Sequence, residues 1–277
     1  MTKSLHRTWY RVALARPGAP QLALASGEHM GQAIAEAQQH VTGAWPIAVD
    51  HAASEQIPLG ESVGKGNVLM LGEAPADLPT FRWPVGVLPS LAGATAFTGA
   101  GPGWVVRPDD KLLVIEAQTD AEHLTDLFLG LLERLPSADN LEVRVQDHFE
   151  DAETSDVWLT SRVNAKKILR FLDDHDEELI GNGHLELSIY VRAHKATLRL
   201  TEHKTVVWLA EEGALDAEVR EWLRELHVPK VDKLVTVREG PHFHYRPLKS
   251  RDRKKLGEEL YRQRLRRVDS LKRETAG

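Results

Sequence analysis

The sequence predicts a mixed α/β (α+β) protein, because segments with strand periodicity alternate with segments that have helical periodicity. Residues 112–115 are a continuous apolar run of the kind found in a buried strand. Between residues 124 and 135, Leu and Phe recur on one helical face, and the segment ends before Pro136. Apolar residues then alternate with polar ones from residue 141 to 145, which indicates a strand with one solvated face.

The first 107 residues are predicted to form an irregular N-terminal α/β module. Its first half contains strands at residues 10–15 and 46–49, with a helix opened by Ser26 between them. Its second half, from residue 54 to residue 107, is rich in Gly and Pro. Such density favours turns and loops over long elements, so we place a module boundary near residue 107.

Residues 108–246 are predicted to be an α+β module built from strand-helix-strand units. The second unit begins with a strand at residues 156–160 and a helix capped by Asn164. Return strands follow at residues 185–189, 197–200 and 206–209, then a helix at 215–226 and final strands at 234–237 and 242–245. Strand, helix, strand pair, helix and strand is the order of a split βαβ layer, so we predict a ferredoxin-like layer over residues 156–246.

The remaining segment, residues 247–277, is predicted to be a basic helical tail. From Arg246 to Gly277 there are 12 Lys/Arg and 5 Asp/Glu, a net charge of +7. Apolar residues fall on one half of a helical wheel. Gly257 in the interior costs such a helix about 1 kcal/mol relative to Ala.

Composition excludes several classes of function. The chain has no cysteine, so disulfides, thiolate metal sites, Cys nucleophiles and iron–sulfur clusters are ruled out. The sequence contains no long uncharged apolar run of the kind that marks a signal peptide or a membrane span. We therefore expect a cytoplasmic protein that does not contact a membrane. No motif calls for a cofactor. Oligomeric state is left open.

Acidic residues dominate the segment before the tail. From residue 108 to residue 186 there are 20 Asp/Glu against 7 Lys/Arg, a net charge of −13. Five carboxylates surround one histidine, His175, in a group that we call the acidic cluster: Asp173, Asp174, Asp176, Glu177 and Glu178. Consecutive helical residues radiate outward, so the cluster does not converge on a metal or a reaction centre. The leading hypothesis is a non-enzymatic, regulatory protein that docks a basic protein partner here, for example an immunity or antitoxin-type inhibitor.

The basic tail supports an alternative function. Its cations are Arg251, Arg253, Lys254, Lys255, Arg262, Arg264, Arg266 and Arg267. They could neutralise the phosphates of a nucleic acid in a sequence-independent, salt-sensitive way. They could equally dock on the acidic residues of the protein itself, which would leave them unavailable to nucleic acid.

Two further patterns are weaker hypotheses. Residues 60–64 match the G-x-S-x-G pattern and would make Ser62 a hydrolase nucleophile, but turn and strand residues follow where the motif requires a helix. His242 and His244 share a face of a predicted strand and could bind one metal ion if a third ligand such as His203 or His227 approached. Neither pattern comes with the partner residues that its chemistry needs, so no catalytic or metal site is assigned.

Overall fold

The fold is taken from a computed structural model, which describes residues 7–57, 67–211 and 213–272. The chain divides into two compact units, each built from two stretches of sequence. The first unit comprises Met1–Ala100 and Val235–Leu248, and the second comprises Gly101–Leu234 and Lys249–Gly277. The mixed α+β class predicted from the sequence is confirmed, and the paired strands of every sheet are antiparallel.

The first unit contains a four-stranded sheet in the order β3-β1-β2-β4 and a two-stranded sheet of β5 and β13. The strands are β1 (Thr8–Ala15), β2 (Gln21–Gly27), β3 (Trp45–His51), β4 (Val68–Glu73), β5 (Val87–Pro89) and β13 (His242–His244). One helix, α1 (Met30–His40), contacts the larger sheet, and 3₁₀ turns span Ser54–Gln56, Leu91–Phe97 and Val237–Glu239. The unit's largest core cluster joins the buried side chains of β1, β2 and α1 to those of Val235, Val237 and Tyr245.

The second unit is built on an eight-stranded sheet in the order β14-β9-β8-β10-β11-β12-β7-β6. Its strands are β6 (Gly103–Arg107), β7 (Leu112–Gln118), β8 (Asn140–Val145), β9 (Thr154–Leu159), β10 (Leu185–Val191), β11 (Ala196–Leu200), β12 (Val206–Glu211) and β14 (Arg266–Lys272). Its helices are α2 (Leu124–Arg134), α3 (Ala165–Asp173), α4 (Asp176–Leu179), α5 (Asp216–Glu225) and α6 (Arg253–Arg262), with a 3₁₀ turn at Arg192–His194. Helix α2 packs against α3 and α5, and one apolar cluster joins the helices to the sheet.

The predicted ferredoxin-like layer over residues 156–246 is not formed as a separate four-stranded sheet. β9 and β10 both pair with β8, which lies earlier in the sequence, and the sheet continues on either side. The predicted last strand is β13, which pairs with β5 in the first unit. Periodicity identified most of these elements, but strand pairing depends on contacts between distant residues that periodicity does not encode.

The predicted segment boundaries at residues 107 and 246 also differ from those observed. The longer stretch of the first unit ends at Ala100, and the chain returns to this unit at residues 235–248. The tail is not a single helix, because α6 ends at Arg262 and the chain continues as β14, which pairs with β9. Leu256, Leu260 and Leu265 are buried in the core of the second unit, which makes this segment part of the fold.

Gly31 shows how closely the returning segment packs on α1. A Cβ added at Gly31 would collide with the backbone carbonyl oxygen of Arg246. We expect Gly31→Ala to lower the free energy of unfolding by about 3 kcal/mol in urea denaturation, because backbone cannot yield as a flexible side chain does. Gly101→Ala is the control, since a Cβ there meets nothing within 4 Å. Equal stabilities of the two variants would contradict this packing.

No helix within residues 7–57, 67–211 and 213–272 combines the length and the apolar character that crossing a membrane requires.

Candidate functional site: the acidic cluster and the C-terminal segment

The acidic cluster lies where α3 ends and the short helix α4 begins. Asn164 caps α3 by accepting a hydrogen bond from the Lys167 N–H, as the sequence predicts, and Ile168 and Leu172 anchor the helix in the core. Asp173 and Asp174 occupy the C-terminal end of α3, where the helix dipole disfavours negative charge. Nothing in local helix stability therefore accounts for carboxylates at these positions.

Four members of the cluster are exposed and one is buried. Asp173, Asp174, Asp176 and Glu177 face solvent. None of these four makes an ion pair with any described residue, although Asp176 accepts a hydrogen bond from the backbone N–H of Glu177. Glu178 is only 8 % exposed. The cluster thus presents four uncompensated carboxylates to the surface and directs the fifth inward.

Arg251 neutralises the buried member. Its backbone N–H donates to Glu178 Oε1 at 3.0 Å, and its guanidinium donates to Glu178 Oε2. A second carboxylate, Glu259, lies 3.7 Å from the same guanidinium. An ion pair that also satisfies a backbone N–H offsets much of the cost of burying its charges.

A concave site of about 330 Å³ opens beside this pair. The residues that line it come from two stretches of the chain: Asp174, His175, Asp176, Glu177 and Glu178, and Lys249, Ser250 and Arg251. The site is mostly polar, and its volume is sufficient to admit one long side chain of another protein. Four carboxylates line the site against two cations, Lys249 and Arg251, so it keeps a net negative charge and can bind a cation.

Arg253 joins the C-terminal segment, which is residues 249–272, to the rest of the second unit. Its guanidinium donates to the carbonyl oxygens of Gln146, Phe149 and Thr154, the last at 2.6 Å. It also pairs with Asp156 at 3.1 Å, and its side chain is 14 % exposed. A planar guanidinium presents five N–H donors spread over three nitrogen atoms, so it can reach several separated acceptors at once, whereas a lysine ammonium has three donors on a single atom.

Three of the other six cations singled out from the sequence also have acidic neighbours. Arg267 pairs with Asp156, Lys255 with Asp252, and Arg262 with Glu259 at 3.1 Å. Lys254, Arg264 and Arg266 are exposed and make no ion pair with the residues that the structure describes. Five of the eight cations singled out from the sequence are therefore already paired within the protein.

Gly257 lets α6 approach the sheet. A Cβ at this position would lie 3.2 Å from Cζ2 of Trp158 on β9, closer than most such contacts. Gly257 lowers the stability of the isolated helix, but its missing side chain is what allows α6 to pack this closely against β9.

His242 and His244 lie on one face of β13 and contact each other. Their Nε2 atoms are 3.2 Å apart, and Nδ1 of His242 is 2.8 Å from the carbonyl oxygen of Gly240. If Nδ1 of His242 donates to that carbonyl, its Nε2 carries a lone pair and accepts from His244 Nε2–H. A metal ion binding to both rings would have to displace this shared proton.

Ser62 lies outside the described residues, together with the rest of the G-x-S-x-G pattern. Its assignment as a nucleophile stays a sequence-based hypothesis.

The structure buries a lysine, Lys204, that no motif in the sequence singles out. Its side chain is fully buried, and Nζ donates to the carbonyl oxygen of Asn182 at 2.6 Å. Burial, opposed by the carboxylates Glu202 and Glu186, lowers the pKa of Lys204 to about 7. The Nδ2 group of Asn182 is also buried and has no hydrogen-bond partner among the described residues. A lysine whose pKa lies near 7 is chemically unusual, and such shifted pKa values are found in many functional sites.

The backbone at Lys204 is also unusual. The turn between β11 and β12 places Lys204 at φ 62°, in the left-handed region that favours glycine. A lysine at the left-handed position of a hairpin is a mismatch visible in the sequence once the turn is aligned. Its burial has no local signal, because it depends on the distant loop that holds Asn182.

With this geometry established, the chain was compared with known proteins. No match was found. The comparison covered models of protein families, curated proteins and solved structures. Any function must therefore be inferred from the residues themselves.

Proposed function

We propose that this chain is a protein-binding module that docks a basic surface of another protein on its acidic cluster. One observation carries the proposal: Asp173, Asp174, Asp176 and Glu177 are exposed, adjacent and unpaired among the described residues. By contrast, five of the eight cations singled out in the C-terminal segment are paired. Unpaired like charges repel one another, so a complementary partner relieves a cost that the free protein carries.

The concave site beside Glu178 supports the same proposal. A partner Lys or Arg side chain entering it would lie against the carboxylates of Asp174, Asp176 and Glu177. Charge complementarity of this kind raises the association rate and sets orientation more than it sets affinity. A regulatory protein, such as an inhibitor of the immunity or antitoxin type acting on a basic, nuclease-like target, would use such a face.

Binding of a fluorescein-labelled nona-arginine peptide tests the acidic cluster. In the first variant the four exposed carboxylates are neutralised together: Asp173→Asn, Asp174→Asn, Asp176→Asn and Glu177→Gln. We expect its affinity, measured by fluorescence anisotropy, to fall about tenfold, since each exposed charge contributes a few tenths of a kcal/mol. Binding should weaken as salt rises.

A matched control separates the cluster from the net charge. The control variant neutralises four exposed carboxylates that lie elsewhere in the second unit and are also unpaired among the described residues: Asp110→Asn, Asp126→Asn, Glu133→Gln and Glu218→Gln. Its net charge changes by the same amount, and we expect less than about a twofold loss. Equal losses in the two variants would show that the peptide senses only total charge, and the proposal would fail.

The nucleic-acid alternative is separated by the same assay with labelled single-stranded and duplex DNA. Removing residues 250–277 is not a suitable variant, because it deletes Arg253 and β14 from the fold. The variant Lys254→Gln, Arg264→Gln and Arg266→Gln removes only cations without an ion pair among the described residues. DNA binding at physiological salt that this variant abolishes would favour the alternative over the acidic cluster.

A further inference from the structure

Three of the four edges of the two larger sheets are covered or protected. Residues 229–231 lie alongside the edge strand β6. The Trp104 N–H donates to Pro229 O at 2.9 Å, and the Val231 N–H donates to Trp104 O at 3.0 Å. On β3, Val49 forms a parallel bridge with Ser90. On β14, Arg266 and Arg267 bring charge, and the pairing with β9 is irregular after Arg267. Covering, charge and bulges are the usual ways in which proteins keep an edge from pairing.

The fourth edge, β4, lacks this protection over most of its length among residues 7–57, 67–211 and 213–272. It pairs with β2 on one side, and no described strand pairs with its other side. Leu69, Met70 and Leu71 are 41 %, 38 % and 44 % exposed. Successive residues of a strand point to opposite faces, so apolar surface is exposed on both faces of this edge. An uncharged apolar edge is a template for another strand.

The backbone of β4 offers hydrogen-bonding groups to such a strand. The carbonyl oxygen of Asn67 accepts from the Ser26 N–H, so Asn67 directs its groups toward β2. The backbone hydrogen-bonding groups of successive residues point to alternate sides of a strand. Val68 and Met70 therefore direct their N–H and C=O groups to the open edge. The irregularity in the β2–β4 register lies beyond Met70, where Gly72 is paired with Leu22, so residues 67–70 are regular.

We infer that β4 is a self-association edge, where two copies of the chain pair their β4 strands antiparallel about a two-fold axis at Leu69. In this register Val68 of each copy lies opposite Met70 of the other and exchanges two hydrogen bonds with it, four in all. Leu69 of one copy lies opposite Leu69 of the other, and Asn67 of each copy lies opposite Leu71 of the other. The two four-stranded sheets become one continuous sheet across the axis.

The chemistry of β4 favours a second copy as the occupant. A two-fold contact places like residues near each other, so a charged strand would oppose itself. Residues 67–72 contain no charged side chain, and Glu73 lies outside the paired stretch. The contact is small for a protein interface, so we expect micromolar rather than nanomolar association.

Sedimentation velocity on the full chain between 1 and 200 µM tests this pairing. We expect a reversible monomer–dimer equilibrium for the native sequence. Leu69→Lys should shift the midpoint of dimerisation at least about tenfold upward, because two ammonium groups would meet across the axis. The control is Val106→Lys. Val106 is also 41 % exposed, but it lies on β6, whose edge is covered. Thermal unfolding followed by circular dichroism checks that both variants are folded.

Cysteine cross-linking gives a second readout that does not add charge. The native chain has no cysteine, so Leu69→Cys introduces a single thiol. Directly opposed residues that are not hydrogen-bonded have Cα atoms about 4.5 Å apart, within the range of a disulfide. Oxidation should link Leu69→Cys into a covalent dimer at least about tenfold faster than Val106→Cys. A chain that stays monomeric at 200 µM, with equal cross-linking rates for the two variants, overturns the inference.

Discussion

The free energy of unfolding of the native chain is expected to rise between about pH 7 and pH 10.5, and replacing Lys204 by methionine is expected to remove that rise. Burial lowers the pKa of Lys204 from 10.5 to about 7 in the folded state. Between these values the unfolded chain binds more protons than the folded chain, so the free energy of unfolding increases with pH. The slope approaches about 1.4 kcal/mol per pH unit, which accumulates to several kcal/mol across the window. Well below pH 7 Lys204 is protonated in both states, so this contribution is constant.

Urea denaturation at pH 7, 8 and 9 measures the slope in the native chain and in Lys204→Met. Lys195→Met is a closely matched control, because Lys195 also has a left-handed backbone, with φ 46°, but its side chain is 62 % exposed. We expect the control to keep the native slope. If the slope of Lys204→Met equals that of the control, Lys204 is charged in the folded protein at neutral pH.

Arg253→Ala is expected to destabilise the second unit by about 3–5 kcal/mol, the largest effect among the substitutions in the C-terminal segment. The change removes the donors to the carbonyl oxygens of Gln146, Phe149 and Thr154 and leaves Asp156 without one of its two arginine partners. Losing one member of a partly buried hydrogen-bonded pair is more costly than losing a surface charge.

The neighbouring exposed residue Lys254 provides the control, and Lys254→Ala should change the free energy of unfolding by less than about 0.5 kcal/mol. Chemical denaturation followed by tryptophan fluorescence suits this comparison, because Trp158 lies in the strand that contains Asp156. Similar stabilities for the two variants would show that Arg253 acts as a surface cation, available to a ligand.

The periodic elements of the fold could be predicted from the sequence. Leu124, Leu127, Phe128, Leu131 and Leu132 form the buried face of α2 as their spacing indicates. The predicted start of α1 at Ser26 was wrong, because Ser26 belongs to β2. The helix is capped instead by His29, whose Nδ1 accepts a hydrogen bond from the Gln32 N–H. Histidine is an infrequent cap, and it acts as one here because burial, aided by Arg246, lowers the pKa of His29 to about 4 and keeps the ring neutral.

Strand partners and charge partners could not be predicted, since both depend on residues far apart in the chain. The acidic cluster and the basic tail were identified as groups of charges, but no local pattern distinguishes Glu178, which pairs with Arg251, from Asp176, which is exposed. Nor does any pattern show that Arg253 is a structural residue while Lys254 is exposed. Composition predicts net charge, whereas only the fold determines which charges stay unpaired.

The division of the first unit into two stretches has a consequence for how the protein is made. Its core cluster includes Val235, Val237 and Tyr245, which are synthesised more than 130 residues after the unit's first stretch ends at Ala100. During translation, β1, β2 and α1 therefore emerge long before their last apolar partners. We expect this N-terminal stretch to remain incomplete and accessible to chaperones until the chain has passed residue 248, and a fragment ending at residue 100 should not fold by itself.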